Sequence, residues 1–512
     1  MFKVMPDNTK KTFSRIREII WPIHSYELKK VIPLLLIKLF VTLTYTILKD
    51  AKDTLIVTSV GSGAEAIPIL KGWVVLPLAF LAMIAYSKLS NALSRTSLFY
   101  TTILAFMAFF FFYGFILYPL KDVLCPHESA DWLISVLGEE RSHWVAIYRY
   151  WMNSLFFVAA ELWGGMAIGL LFWGFANQVC RIDEAKRFYA IYSAAGDIGL
   201  ILAGRITWYF ASSFSGMDFG YTLKYLITSV LICGVAIIAA YWWFNRYVMP
   251  DAPIEEAKVK KIKPKLSLKE SLGYLASSPY LLSIAVMVIA YGLAFNLVEV
   301  TWKATLKLQY PNPNDYQSFM GTISTILGFV SLLTTLFIGG FVTRKFGWLF
   351  SARVTPILVG ITAIGFLCIY LSKDALSGVL ALVGITPIML VVIIGSVQNV
   401  VGKTLKYSFF DPTKEMAFIP LDEECKVKGK AAIDVVASRF GKSGSSWIQI
   451  ILIEFVGGGS VLGITHWLAP FIIVTIAMWL YAVNTVGKEF AILTNEEIKP
   501  SAENPTPKEA SA

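Results

Sequence analysis

Residues 31–57 read VIPLLLIKLFVTLTYTILKDAKDTLIV, and this stretch decides the fold class. It opens on an apolar run of about 20 residues, the length that a helix needs to cross about 30 Å of hydrocarbon. Runs of this length recur along the whole chain. They do not alternate with period two, which excludes the strands of a membrane barrel. Backbone groups in lipid need partners within their own segment, so the runs predict helices.

The composition supports a membrane protein. Of the 512 residues, 56% are hydrophobic and only 16% are charged, whereas a soluble protein is nearer one quarter charged. The net charge is +10, but Lys and Arg concentrate in loops between the apolar runs, which is the positive-inside pattern. This distribution favours contact with a lipid bilayer and argues against nucleic-acid binding.

The chain is predicted to be an all-α transmembrane protein of about twelve helices. The expected spans are 31–49 (with a possible extension to 60), 67–87, 97–119, 144–176, 188–212, 222–245, 279–302, 317–342, 352–371, 376–401, 442–464 and 467–488.

The spans divide into two predicted six-helix halves, residues 31–245 and 279–490. Between them lies 246–278, a hydrophilic stretch rich in Lys and Pro, which predicts a cytoplasmic linker. An even number of spans places both termini on one side, so we expect residues 1–30 in the cytoplasm. The tail 491–512 is expected to be disordered. The N-terminus has no cleavable signal, which favours a bacterial inner membrane.

Six plus six helices around a basic loop resemble the major facilitator superfamily. Gly340, Lys345 and Gly347 partly match a loop motif of that superfamily, Gly-x-x-x-Asp-Arg/Lys-x-Gly-Arg/Lys. Arg344 and Trp348 depart from it. The motif alone is therefore weak support for this fold.

Metal and catalytic chemistry find no support in the sequence. The five Cys have no metal or redox spacing, and the chain has only four His. No Ser-His-Asp group and no paired-carboxylate motif occurs. Gly441-Lys442-Ser443-Gly444 suits an anion at a helix start, but Val436 stands where a P-loop requires its first Gly. We expect neither a cofactor nor an enzyme.

Charged residues inside apolar runs are the informative signal, since each costs roughly 2.5–3.5 kcal/mol at a helix centre. In span 1, Lys49, Lys52 and Asp53 share one face if the helix continues. The alternative is that the helix ends at Lys49 and these charges are at the surface. In span 4, Arg149, Asn153 and Glu161 lie on roughly one face. Either a substrate or a neighbouring helix satisfies them.

The second half has a similar pattern. Asn296, Glu299 and Lys303 share a face of span 7, and Glu299 and Lys303 could simply pair with each other. Gln398 and Asn399 are polar residues within span 10. Lys403 and Lys406, at the end of span 10, are interpreted as interfacial anchors. Lysines and carboxylates within a bundle suit the binding of a polyanion.

Four stretches resemble the non-mitochondrial ATP:ADP translocases of obligate intracellular bacteria and plastids, particularly the bacterial and chlamydial members. They are YTILKDAKDTLIVTS (45–59), AELWG (160–164), NLVEVTWKATLKLQY (296–310) and LKYSFFDPTKEMAFIPLDEECKVKGKAAIDVVASRFGKSG (405–444). The last is highly specific, and the resemblance extends over roughly residues 15–490.

The resemblance implies an antiporter that imports host ATP in exchange for ADP, with inorganic phosphate accompanying ADP in several members. It also implies that Lys52, Glu161, Glu299 and Lys442 bind or transport the substrate. Helix geometry adds further cavity candidates: Lys49, Arg149, Asn153, Asn296, Lys303, Gln398 and Asn399. We expect a monomer that works by alternating access.

The sequence is also compatible with two other functions. A proton-coupled net importer of nucleoside triphosphates, known among close relatives of the family, would fill vesicles that contain no nucleotide. A membrane-embedded enzyme would form product in detergent without vesicles.

Overall fold

The computed structural model describes residues 21–248, 278–421, 429–430, 433 and 437–498. Twelve long helices and no strand occur among these residues. We number them α1 (Leu28–Val57), α2 (Ala66–Ala92), α3 (Arg95–Leu124), α4 (Trp151–Val179), α5 (Ile182–Ser213), α6 (Phe219–Tyr247), α7 (Pro279–Gln309), α8 (Pro313–Leu333), α9 (Gly340–Ser372), α10 (Pro387–Ala417), α11 (Ser438–Phe455) and α12 (Thr465–Ile498).

The all-helical prediction is confirmed. Nine stretches of the described residues are long and apolar enough to cross a membrane, one of them containing both α8 and α9. The more polar helices α5 and α11 fall outside these nine. Most of the predicted linker, residues 249–277, lies outside the described residues, as do residues 1–20 and 499–512.

Local chemistry explains where several helices begin. The Ser94 hydroxyl accepts the Ser97 N–H before α3, and the Asn312 side chain accepts the Asn314 N–H before α8. Such caps satisfy backbone donors that have no partner within the helix. α8 begins at Pro313, a residue suited to the first helical position.

Two predicted spans are wrong in their bounds. Residues 376–401 do not form one helix: Ser377–Leu382 is a separate short helix, Gly384 has φ +70°, and Thr386 caps α10. The predicted span 442–464 ends at Phe455, because Gly458 and Gly459 adopt left-handed backbone angles that favour glycine.

A third correction concerns span 4. The helix expected over 144–176 is interrupted at Tyr150 (φ −107°, ψ 47°), so Ser142–Arg149 is a short helix separate from α4. Another break divides α9, where Gly347 has φ 80° and ψ 176°. This is the glycine of the predicted loop motif, and its left-handed backbone accounts for glycine at that position.

The described helices group into two compact units. One contains α1–α6 together with Leu306–Ile338, and the other contains α7 up to Thr305 together with α9–α12. The predicted division into halves at residues 245 and 279 stays a prediction.

Within the first unit, α5 packs closely on α1 and α8 through glycines. A Cβ at Gly199 would lie 2.7 Å from the Leu39 carbonyl oxygen, and one at Gly321 would lie 2.7 Å from the Trp208 nitrogen. Only glycine allows this approach of the backbones. Apolar side chains such as Ile232 and Val235 of α6 are exposed, as expected for helices that face lipid.

Candidate functional site

The first charge cluster surrounds Lys52 on α1. Its Nζ lies 2.8 Å from Asp53 Oδ1 and 3.0 Å from Glu161 Oε1 of α4, and it sits 3.9 Å above the centre of the Phe157 ring. The Lys52 and Asp53 side chains are only 2% and 1% exposed, whereas Glu161 is 25% exposed. Glu161 is therefore the partner of Lys52 that solvent or a ligand reaches most easily.

The helices position this cluster in specific ways. α1 continues to Val57, so the alternative in which it ends at Lys49 is wrong. A Cβ at Gly164 would lie 2.5 Å from Tyr45 Cε2, so glycine allows α4 to approach α1 one turn from Glu161. A π-helical stretch, Gly164–Trp173, begins at this glycine. Such stretches are frequent at functional sites.

Lys49 and Lys52 contact different partners. Lys49 Nζ lies 3.2 Å from Asp50 Oδ1, and the buried Asp50 accepts a 2.6 Å hydrogen bond from Ser324 of α8. The carboxylate that Lys49 contacts is therefore bound to α8, while Lys52 contacts α4. Lys49 and Lys52, predicted to share one face of α1, therefore belong to two separate groups of ion pairs.

The remaining span-4 candidates are separated. Asn153 is buried, where it accepts the Tyr113 hydroxyl at 2.9 Å and its Nδ2 contacts the Leu55 carbonyl and the Ser59 hydroxyl, each at 3.4 Å. Arg149 ends the short helix before Tyr150 and bonds to the exposed Asp131. The predicted common face is therefore wrong for Arg149, which the interruption at Tyr150 separates from α4, whereas Asn153 and Glu161 both lie on α4 and contact α1.

The second charge cluster lies in the other unit, around Glu299 of α7. Its Oε1 lies 3.1 Å from Lys403 Nζ of α10 and 3.7 Å from Lys303 Nζ. The side chains of Lys303, Glu299 and Lys403 are only 2%, 10% and 16% exposed. Lys403 also lies 5.4 Å from the centre of the Phe295 ring.

This geometry corrects the interpretation of Lys403. The sequence pattern indicates an interfacial anchor, but Lys403 is largely buried and pairs with a carboxylate of another helix. Lys406 instead pairs with Asp411 of its own helix at 2.6 Å. The expected Glu299–Lys303 contact is present but is the longer of the two contacts to Glu299.

These clusters belong to a chain whose relatives are known. The model of the TLC ATP/ADP transporter family matches residues 6–490. This chain belongs to that family. It is 48% identical to "ADP,ATP carrier protein 1" of Chlamydia pneumoniae, covering 95% of this chain and 96% of that protein. It is also 43% identical to the chloroplastic "ADP,ATP carrier protein 1" of Arabidopsis thaliana, covering 93% of this chain and 76% of that protein.

Solved structures confirm the fold class of this TLC family member. A bacterial homologue of the iron transporter ferroportin matches with a TM-score of 0.57 at 14% identity, covering 91% of this chain and 99% of that one. A D-xylose–proton symporter matches with a TM-score of 0.56 at 12% identity, covering 90% and 97%. At this identity the likeness concerns the fold alone, which is that of major-facilitator-like transporters.

Lys442, the fourth residue implied by the family resemblance, has an exposed side chain on α11 of the TLC family member. Its carbonyl oxygen accepts hydroxyl hydrogen bonds from Ser445 and Ser446. Among the described residues, Lys442 makes no ion pair with the Glu299 cluster. The preceding Gly441 packs against α7, where a Cβ would lie 3.0 Å from the Ile289 carbonyl oxygen.

Sequence reasoning missed a further pair of buried charges. Lys38 of α1 is 8% exposed, and its Nζ lies 5.3 Å from the centres of both the Phe172 and Trp173 rings. Asp197 of α5 is 7% exposed. A Cβ at Gly196, its chain neighbour, would lie 3.0 Å from Lys38 Cε. The available signal was a lysine between Ile37 and Leu39, deep in the first apolar run.

Among the described residues, no group of three or more His, Cys, Asp or Glu side chains could hold a metal ion. The charged groups of the clusters are lysines and carboxylates. Charged groups within membrane helices usually pair with one another or face a polar cavity, and they mark candidate functional sites.

Proposed function

We propose that this chain exchanges ATP for ADP across a bacterial inner membrane, importing ATP. The observation that supports this most directly is the Lys52 cluster: an ammonium within a membrane helix, held by two carboxylates of which one is partly accessible. The relatives named as ADP,ATP carriers supply the identity of the solute. An anionic nucleotide would replace Glu161 as a partner of Lys52.

The phosphates provide the physical reason for lysine at this site. A lysine ammonium is a compact charge with three donors, and it binds phosphate without a fixed geometry. Glu161 would hold Lys52 in the empty carrier and release it on binding. In the other unit, Glu299 would likewise pair with Lys403 and Lys303 and release them when the nucleotide binds. Lys442 would contact phosphate from its exposed position on α11.

The transport cycle we propose is alternating access, with both termini in the cytoplasm and the monomer as the working unit. Phosphate would accompany ADP, and no chemical reaction would occur on the nucleotide. The remaining polar residues of the predicted cavity, Lys49, Arg149, Asn153 and Asn296, would position helices or contact ribose and phosphate.

Uptake of labelled ATP into proteoliposomes tests the proposal. We expect uptake only when the vesicles contain ADP, and we expect Lys52→Met to abolish it. Release of labelled phosphate together with ADP tests the phosphate component in the same vesicles.

A matched control is available in Lys121, near the end of α3. Lys121 pairs with Asp218 at 2.9 Å. Partial burial raises the pKa of Asp218, but hydrogen bonds from Lys121 and the Gly220 N–H outweigh it, so this pKa lies below its usual range. Lys121→Met therefore removes a paired lysine far along the chain from Lys52, and it should leave exchange unchanged.

The outcome also separates the competing functions. If vesicles without nucleotide fill as well as loaded ones, exchange is wrong, and a proton-driven importer would then respond to an imposed pH gradient. If ADP or another product forms in detergent without vesicles, the protein is an enzyme.

A further inference from the structure

Two neighbouring side-chain amides of α10 are buried and have polar atoms without a hydrogen-bond partner among the described residues. Both polar atoms of Gln398 and the Nδ2 of Asn399 have no partner among the described residues. Gln398 is fully buried and Asn399 is 2% exposed. A buried donor or acceptor without a partner destabilises the protein, so a group in this state calls for an explanation.

The amides lie beside the Glu299 cluster. Asn399 precedes Lys403 by one helical turn, so the two share a face of α10. A Cβ placed at Gly402 would lie 3.9 Å from Gln398 Nε2 and 2.8 Å from Phe295 Cδ2. The same Phe295 ring lies 5.4 Å from Lys403 Nζ. Glycine at 402 therefore allows the Phe295 ring to pack against α10 close to Gln398 and Lys403.

A carboxamide offers one acceptor and two donors side by side. Adenine presents the matching pattern, an amino donor next to a ring nitrogen acceptor, and Asn and Gln are the side chains that pair with it through two hydrogen bonds. An aromatic ring next to the amide adds a face on which a base can stack.

We infer that Gln398 reads the adenine base of the transported nucleotide, through hydrogen bonds to its 6-amino group and the adjacent ring nitrogen. Asn399 supports the same base from the next position of α10. The inference rests on the proposed nucleotide exchange, and it assigns base selectivity to the second unit.

Gln449 provides a matched control, because it is also a buried glutamine of the second unit but its amide is satisfied. Its Nε2 donates to the carbonyl oxygens of Asn296 and Leu297 at 3.3 and 3.2 Å. Gln398→Met and Gln449→Met remove the same amide while keeping side-chain length. Comparison of the two variants distinguishes an amide that binds a ligand from an amide that stabilises the packing of helices.

The experiment compares ATP with purine riboside triphosphate, which lacks only the 6-amino group, as competitors for labelled ATP on the purified full chain in nanodiscs. We expect the wild-type protein to prefer ATP by about tenfold or more, which corresponds to about 1.4 kcal/mol. Gln398→Met should remove this preference through weaker ATP binding. Gln449→Met should retain it.

Thermal unfolding of the unliganded protein gives an independent measurement. Gln398→Met should unfold at the same or a higher temperature, since it removes buried polar atoms without partners, whereas Gln449→Met should unfold at a lower one. Should the methionine variant fail to fold, Gln398→Leu makes the same comparison.

The outcomes distinguish the two claims. If the wild-type protein binds neither nucleotide, the proposed function and this inference both fail. If it prefers ATP and Gln398→Met keeps the preference, or weakens both competitors equally, the inference alone is overturned.

Discussion

Replacement of Glu161 by Gln should make the carrier bind ATP more tightly and exchange it more slowly. Glu161 Oε1 lies 3.0 Å from Lys52 Nζ. If phosphate takes its place, the carboxylate competes with the substrate for the same ammonium. Glutamine keeps the shape and removes the competing charge.

The magnitude follows from the contact. Two unit charges 3.0 Å apart attract by about 5 kcal/mol at an effective dielectric constant of about 20. Glu161 is 25% exposed, so solvent screens part of this attraction, and Asp53 still contacts Lys52 in the variant. We therefore expect a net gain of about 1–2 kcal/mol in ATP binding, or about 5- to 30-fold in Kd.

The assay is equilibrium binding of ATP to the purified protein at fixed ionic strength, followed by exchange in proteoliposomes. Kd should fall, and the maximal exchange rate should fall by a similar factor because bound nucleotide is no longer displaced by the carboxylate. Asp218→Asn removes the carboxylate that caps the start of α6 and pairs with Lys121, and it should change neither quantity.

The opposite result would refute the reasoning. If Glu161→Gln weakens ATP binding, Glu161 contacts the nucleotide directly through its charge or hydrogen bonds. If binding is unchanged while exchange stops, Glu161 acts only in the conformational change. In either case, competition for Lys52 is wrong.

Two further predictions concern stability in the second unit. Glu299→Gln removes the carboxylate that contacts both Lys303 and Lys403. The variant should lower the free energy of unfolding by an amount approaching the roughly 3–5 kcal/mol of a broken buried ion pair. Lys403→Met should lower it less, and thermal unfolding in detergent measures both. Gly441→Leu should lower the yield of folded protein, because its Cβ would meet the Ile289 carbonyl oxygen at 3.0 Å, whereas Gly444→Leu, with only Leu293 Cδ2 at 3.5 Å, should be tolerated.

The fold class was predictable because it depends on the average hydropathy of long stretches of the chain. A run of about 20 apolar residues predicts a spanning helix whatever its neighbours are. The same averaging conceals interruptions: the apolar stretch 376–401 has the composition of one span, yet Gly384 and the Thr386 cap divide it. Gly-Ile-Thr-Pro, residues 384–387, is a turn-and-cap signal that predicts this division, whereas hydropathy does not.

The interruption at Tyr150 has no comparable signal. Neither glycine nor proline occurs between residues 139 and 163. The short helix before it instead ends where Arg149 reaches Asp131 and the Tyr150 N–H bonds to the Ala146 carbonyl. Such a break depends on tertiary contacts, which the local sequence does not specify.

Buried charges were predictable one at a time, but their partners were not. Lys52, Glu161 and Glu299 stand out because each is costly in an apolar run. Spacing within one helix proposes Lys303 as the partner of Glu299, and this contact exists at 3.7 Å, but Lys403 of α10 is closer at 3.1 Å. The closer partner lies 104 residues along the chain, and its position depends on how far α10 is shifted along α7. That shift is set by packing, as at Gly402 against Phe295. The spacing of three or four residues therefore identifies the charged face of α7, but it does not identify the helix that supplies the partner of Glu299.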